Sequence, residues 1–194
     1  MSDDPNILVA GIGNIFLGDD AFGSEVARRL AGRPWPATVR VVDFGIRGLD
    51  LAYALCDGHD LTILIDAAPR GGPPGTLYVI EPDVSDLSAA VSAPAILDAH
   101  SLDPLQVLRM ARAQGAALNG IVLVGCEPGD LGGEEGRLGM TDPVAAAVDE
   151  ALDVVASLVR NFLNHGSIEE RSAGGSPAAR EPAAALESQQ ETLQ

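Results

Sequence analysis

Residues 7–23 read Ile7-Leu8-Val9-Ala10-Gly11-Ile12-Gly13-Asn14-Ile15-Phe16-Leu17-Gly18-Asp19-Asp20-Ala21-Phe22-Gly23. An aliphatic run ends in a glycine-rich turn, and two adjacent carboxylates follow. A run without polar alternation predicts a strand covered on both faces, as in a parallel sheet between helical layers. Glycine lets the backbone bend tightly and lets another group approach closely. The carboxylates fall where a helix is expected to begin, at the carboxyl end of the strand. Ligands of open α/β sheets bind at that edge. The segment therefore sets the fold class and places an acidic site on it.

The same residues disfavour a dinucleotide site. That fingerprint requires G-x-G-x-x-G after the first strand. Gly11 and Gly13 fit, but Phe16 stands at the third position, and a pyrophosphate would meet Asp19 and Asp20.

The pattern continues in alternation. Residues 20–30 predict a helix, with Phe22, Val26 and Leu30 at helical spacing, and Pro34 and Pro36 interrupt the chain after it. Residues 38–42 predict a second strand ending at Asp43-Phe44-Gly45, residues 49–55 a helix closed by Asp57-Gly58, and residues 61–65 a third strand with Asp66 at its end. A Gly/Pro loop over 70–75 precedes a short strand at 76–80. A polar connection then runs to about Asp98, long enough to suggest function or mobility. Ser101 is the expected cap of a helix reaching about Gln114, followed by a buried strand over 119–125 and a Gly-rich acidic loop over 126–139. Thr141 opens a long helix with Pro143 in its first turn, where proline is tolerated, and with Leu152, Val155, Leu158, Val159 and Phe162 on its apolar face. The order β-α-β-α-β-β-α-β-α predicts a three-layer α/β/α domain around a mostly parallel sheet, with one strand, after Gly75, possible in antiparallel orientation. The domain is expected over residues 1–165; residues 166–194, rich in Ala, Ser, Gly, Glu and Gln, are expected to be disordered.

Composition narrows the partners. The chain has 194 residues and a formal charge of -16, from 12 basic and 28 acidic residues. Such a surface disfavours nucleic acid and anionic membrane and suits a metal cation or a basic partner. The acidic N-terminus lacks the basic region of a signal peptide, and the first apolar run is too short to span a bilayer. Cys56 and Cys126 form no C-x-x-C pair and read as two buried reduced thiols, consistent with a cytoplasmic protein. The sequence leaves the oligomeric state open, a monomer included.

Each expected strand end carries a carboxylate: Asp19 and Asp20 after the first, Asp43 after the second, Asp66 after the third. His100 precedes the helix expected near Ser101. Parallel strands deliver their ends to one edge, so these residues can converge there. Two carboxylates and an imidazole suit nickel, zinc, copper or iron, and three protein ligands leave positions open for substrate. Each has a structural alternative. Asp19 or Asp20 can cap a helix, and Asp43 can hold a glycine turn. Asp66 is different: it sits between an apolar run and Ala67-Ala68-Pro69, and a carboxylate buried there needs a partner or a metal. His59, beside a helix-ending glycine, reads as a surface residue, and His165 borders the tail. No G-x-S-x-G elbow is present. Paired-carboxylate glycoside chemistry fits poorly with an aromatic content of 4%.

Together these motifs resemble the nickel-iron hydrogenase maturation proteases, over roughly residues 7–163. The similarity rests on Gly11-Ile12-Gly13-Asn14, Gly18-Asp19-Asp20 and Gly23 in order and spacing. Asp43-Phe44-Gly45-Ile46-Arg47-Gly48, Leu64-Ile65-Asp66-Ala67, Asp98-Ala99-His100-Ser101-Leu102 and Gly125-Cys126-Glu127-Pro128 supply the remaining matches.

The resemblance implies an endopeptidase that removes the C-terminal extension of a hydrogenase large-subunit precursor after nickel insertion. It implies that Asp20, Asp66 and His100 bind the metal, which is the precursor's own nickel, held transiently. Asp20, Asp43 and Asp66 are the implied catalytic carboxylates, with Asp43 as general base or substrate orienter, and Gly45 and Gly48 contact substrate. Water activation by carboxylates and Lewis-acid catalysis by nickel are both compatible with this set. Two departures stand out. Relatives often carry Asp-Gly-Gly-Thr where this chain has Asp43-Phe44-Gly45-Ile46, and often glutamate where it has Asp20. A non-catalytic nickel-sensing chaperone and a related α/β peptidase with another protein substrate are the alternative readings.

Overall fold

The computed structural model describes residues 5–84, 103–133 and 135–167. Five strands, β1 (Ile7–Ile12), β2 (Val39–Gly45), β3 (Leu61–Ala67), β4 (Leu77–Ile80) and β5 (Ile121–Cys126), form one sheet in the order β2-β1-β3-β5-β4. All neighbouring pairs are parallel except β4 with β5. The mostly parallel sheet with its antiparallel strand after Gly75 is the expected one.

Among the described residues four helices cover the sheet: α1 (Phe22–Ala31), α2 (Gly48–Leu55), α3 (Pro104–Ala113) and α4 (Asp142–His165). Strand residues alternate between two apolar layers. Ile7 and Val9 pack with Phe22, Val26 and Leu30 of α1 and with Val148, Val155 and Val159 of α4. Leu8, Ala10 and Ile12 pack with Leu51 and Leu55 of α2 and with Val107, Leu108 and Ala111 of α3. Both faces of β1 are therefore buried, which is why its sequence shows no alternation. Among the described residues no helix is long and apolar enough to cross a membrane.

Several local expectations shift. Asp20 lies in a 3-10 turn (Gly18–Ala21), and α1 begins only at Phe22. β2 runs through Asp43 to Gly45, and β3 runs through Asp66 to Ala67, so both carboxylates stand on strands. The cap of α3 is Asp103, whose carboxylate accepts the Leu105 amide at 2.9 Å. The proline at position 104 holds Asp103 extended, as a cap requires. Ser101 and His100 lie outside the described residues, as do residues 168–194 of the expected tail. Cys126 is buried as expected, but Cys56 is exposed on the last turn of α2, its thiol donating to the Ala52 carbonyl at 3.3 Å. His59 is buried, at 8% exposure, because its ring folds under that helix end and Nε2 sits 3.1 Å from the Ala54 carbonyl.

Candidate active site at the carboxyl edge of the sheet

From β1 the chain passes to β2 on one side, then returns to place β3 on the other. That reversal is the topological switch point of the sheet, where α/β folds bind ligands. The segment after β1 carries Asp20 to this point, and β3 delivers Asp66 to it.

Close approach of glycines makes the geometry possible. Gly13 has φ +138°, and a Cβ there would fall 1.8 Å from the Asp20 carbonyl oxygen. A Cβ on Gly23 would fall 2.1 Å from the Ile65 carbonyl oxygen and 2.2 Å from that of Ile12, so α1 rests directly on the ends of β1 and β3. Hydrogen bonds then fix the loop. The Asn14 amide donates to the Asp20 carboxylate at 2.6 Å, the Phe16 amide to Asn14 Oδ1 at 3.0 Å, and the Ser24 hydroxyl to the Gly13 carbonyl at 3.2 Å.

Asp66 is only 6% exposed, and its Oδ1 accepts the amide of Ala67 at 2.9 Å. Burial first, then the charges of Asp20 and Asp103, push its carboxyl well above the usual range, against that one hydrogen bond. Burial also raises Asp20, partly opposed by the Asn14 amide. Among the described residues neither carboxylate forms an ion pair with a basic side chain. Nor do the described residues contain a cluster of three or more metal-ligating side chains. The structure thus sets half-buried Asp20 near enough to buried Asp66 for its charge to act there.

Asp43 pairs with Gly11 across β2 and β1, one strand over from the pair. It is exposed, and its Oδ1 accepts the Gly45 amide at 2.9 Å, which is the turn-holding contact considered for it. The Arg47 guanidinium donates to the carbonyls of Asp43 and Phe44, tightening the same turn. Asp43 and Gly45 line a cleft of about 320 Å³ together with Gly13, Asn14, Phe16 and Ile46. Gly48 opens α2 behind this turn and is not part of the cleft wall.

Two buried acids are structural. Asp19 is fully buried and accepts the amides of Gly129 (2.7 Å), Asp130 (2.8 Å) and Thr141 (2.6 Å) and the Thr141 hydroxyl (2.9 Å). Burial raises its carboxyl, but these donors outweigh it and hold it below the usual value. Glu127 accepts the amides of Arg70 and Gly71 and the Tyr78 hydroxyl at 2.8–3.0 Å, pinning the loop that leaves β3. Burial and the nearby charges of Asp19 and Glu127 push the Cys126 thiol up to about 12, which keeps it protonated and unsuited to nucleophilic attack. The sequence reading assigned no role to Asn14, which it named only within a motif, to the cap Asp103 or to Glu127. The Gly125-Cys126-Glu127-Pro128 segment was the only signal for the last of these.

The comparisons agree with this architecture. A hydrogenase maturation protease family model matches residues 24–158. The hydrogenase expression/formation protein HupD of Rhizobium leguminosarum bv. viciae is 31% identical over 160 residues, covering 81% of this chain and 76% of its own. The hydrogenase 2 maturation peptidase of a Thaumarchaeota archaeon superposes with a TM-score of 0.60 at 32% identity, over 80% of this chain and 98% of its own. The hydrogenase maturating endopeptidase HybD from E. coli gives 0.62 at 28% identity, over 82% and 94%. The α/β scaffold, the acidic switch point and these relatives lead to one conclusion: the chain belongs to the hydrogenase maturation protease family.

Proposed function

We propose that this chain is the endopeptidase that removes the C-terminal extension of a nickel-iron hydrogenase large-subunit precursor after nickel insertion. In this reading it senses the nickel through Asp20, Asp66 and His100. The observation that carries the reading is buried Asp66 beside half-buried Asp20, each raised by burial and Asp66 also by the Asp20 charge, with no basic side chain pairing either among the described residues. A divalent cation is the partner that lets both ionise at neutral pH. Carboxylate oxygens and one imidazole suit nickel and leave coordination positions for the ligands the precursor already provides.

The nickel belongs to the substrate. A loaded precursor brings the charge that neutralises the pair. An empty precursor brings no such charge, so discrimination is a difference in affinity. Anchoring through the metal holds the extension beside the cleft, and Asp43 on the cleft wall accepts the proton of the attacking water. Gly45, held by the Asp43 carboxylate, keeps the adjoining backbone open to the peptide. Two free cysteines fit a cytoplasmic setting for this processing.

Mass spectrometry tests the reading. Nickel-loaded and nickel-free precursors are incubated with the wild-type chain and with His100→Ala. Release of one C-terminal peptide from the loaded precursor alone, lost in the variant, is expected. Intact precursor with nickel-dependent binding would make the chain a chaperone, and cleavage indifferent to nickel would point to another substrate class.

A further inference from the structure

The cleft beside the carboxylate pair has an apolar rim that the proposed chemistry leaves unused. Its walls come from the segment after β1, from Ser24 of α1 and from the end of β2 with the turn after it. Ile15, Phe16 and Ile46 line it, yet they are 55%, 62% and 53% exposed. A further exposed apolar residue follows the strand-like contact at Phe16. The Arg137 amide donates to the Phe16 carbonyl at 2.8 Å, and its neighbour Leu138 is 79% exposed. Large apolar side chains gathered around a concavity, on a chain of charge -16, mark a contact surface. The rim is also preorganised. Asn14 accepts the Phe16 amide through its side chain and the Leu17 amide through its carbonyl, both at 3.0 Å, while Arg47 clamps the opposite wall.

We infer that this cleft seats a bulky apolar side chain of the precursor, from the segment adjoining the scissile bond, and that Phe16 and Ile46 determine specificity there. The inference rests on the peptidase reading above. Continuity with the site identifies the occupant. The cleft wall includes Asp43, and it includes Asn14, whose amide holds the Asp20 carboxylate. A peptide lying in the cleft therefore runs past Asp43 and past Asn14, the residue that holds Asp20. At about 320 Å³ the cleft is at the small end of ligand pockets, matching a side chain or two of an extended segment. The acidic chain and the Asp43 wall reject an acidic side chain at this position.

Steady-state cleavage of the nickel-loaded precursor tests this with Phe16→Ser, Ile46→Ser and, as an exposed apolar control on α2 outside the cleft, Tyr53→Ser. Both rim residues are exposed, so the variants fold, and thermal melting verifies it. KM is expected to rise about tenfold in each rim variant with kcat within about twofold, while Tyr53→Ser matches wild type. Replacing the apolar precursor residue by aspartate is expected to reproduce the loss. A wild-type chain that leaves the loaded precursor intact overturns the peptidase reading and this inference with it. Cleavage by wild type with kcat/KM unchanged in both rim variants overturns this inference alone. Sedimentation showing that the rim variants alter only self-association would assign the rim to a second copy of the chain instead.

Discussion

Asp19 holds Thr141 twice, accepting its amide at 2.6 Å and its hydroxyl at 2.9 Å across 122 residues of chain. The neighbouring Asp20 instead accepts the Asn14 amide at 2.6 Å, and its charge acts on Asp66. Adjacent carboxylates thus split into a structural pin and a candidate site residue.

Asp19→Ala is expected to destabilise the fold by about 3 kcal/mol, because buried donors lose a charged acceptor. The folded carboxyl titrates below its unfolded value, so its contribution is complete above about pH 4 and is lost as pH falls through the folded pKa. Urea denaturation at neutral pH and near pH 3 checks this: the gap between wild type and variant is expected to narrow in acid.

Asp66→Asn is expected to stabilise the metal-free protein. The folded carboxyl is raised by burial and by Asp20, so wild type loses stability as pH rises from about 4 through the folded pKa. Asparagine keeps an oxygen for the Ala67 amide without the charge. Thermal melting is expected to show a gain at pH 7.5 that vanishes near pH 4. An equal gain at both would show that charge is not its cause.

Gly23→Ala is expected to cost about 3 kcal/mol or more, since its Cβ would strike the Ile65 and Ile12 carbonyls at 2.1 and 2.2 Å. Gly32→Ala meets nothing closer than 3.5 Å and is expected to change stability by under about 0.5 kcal/mol. Parallel denaturation curves of the two variants compare a blocked helix–sheet contact with an open one.

Asp43→Asn separates turn from chemistry. Asparagine can still accept the Gly45 amide, so the turn and the melting temperature are expected to stay. It cannot take a proton, so kcat is expected to fall by about 10²-fold or more. Cleavage near the wild-type rate would leave Asp43 a turn residue only.

Much of the fold was legible because its signals are local. The unbroken aliphatic run of β1 reflects burial on both faces, and Asp66 directly after such a run signalled an enclosed carboxylate. What escaped depends on distant partners. Nothing near Asp19 and Asp20 says which one turns to the site, because the donors that claim Asp19 lie beyond residue 128. His59 follows a glycine, yet its ring folds back under α2. Asp103 caps α3 because the proline at 104 holds it extended, a signal that lies in the sequence itself. The cleft has no sequence signature, since it forms between two loops about 30 residues apart.

The most direct measurement is nickel X-ray absorption of the precursor, alone and in complex with Asp43→Asn, which should bind without cutting. The expected result is a nickel shell that gains oxygen ligands in the complex and loses that gain when Asp66→Ala is added. A nickel shell unchanged by binding would contradict the claim that the carboxylate pair reads the metal.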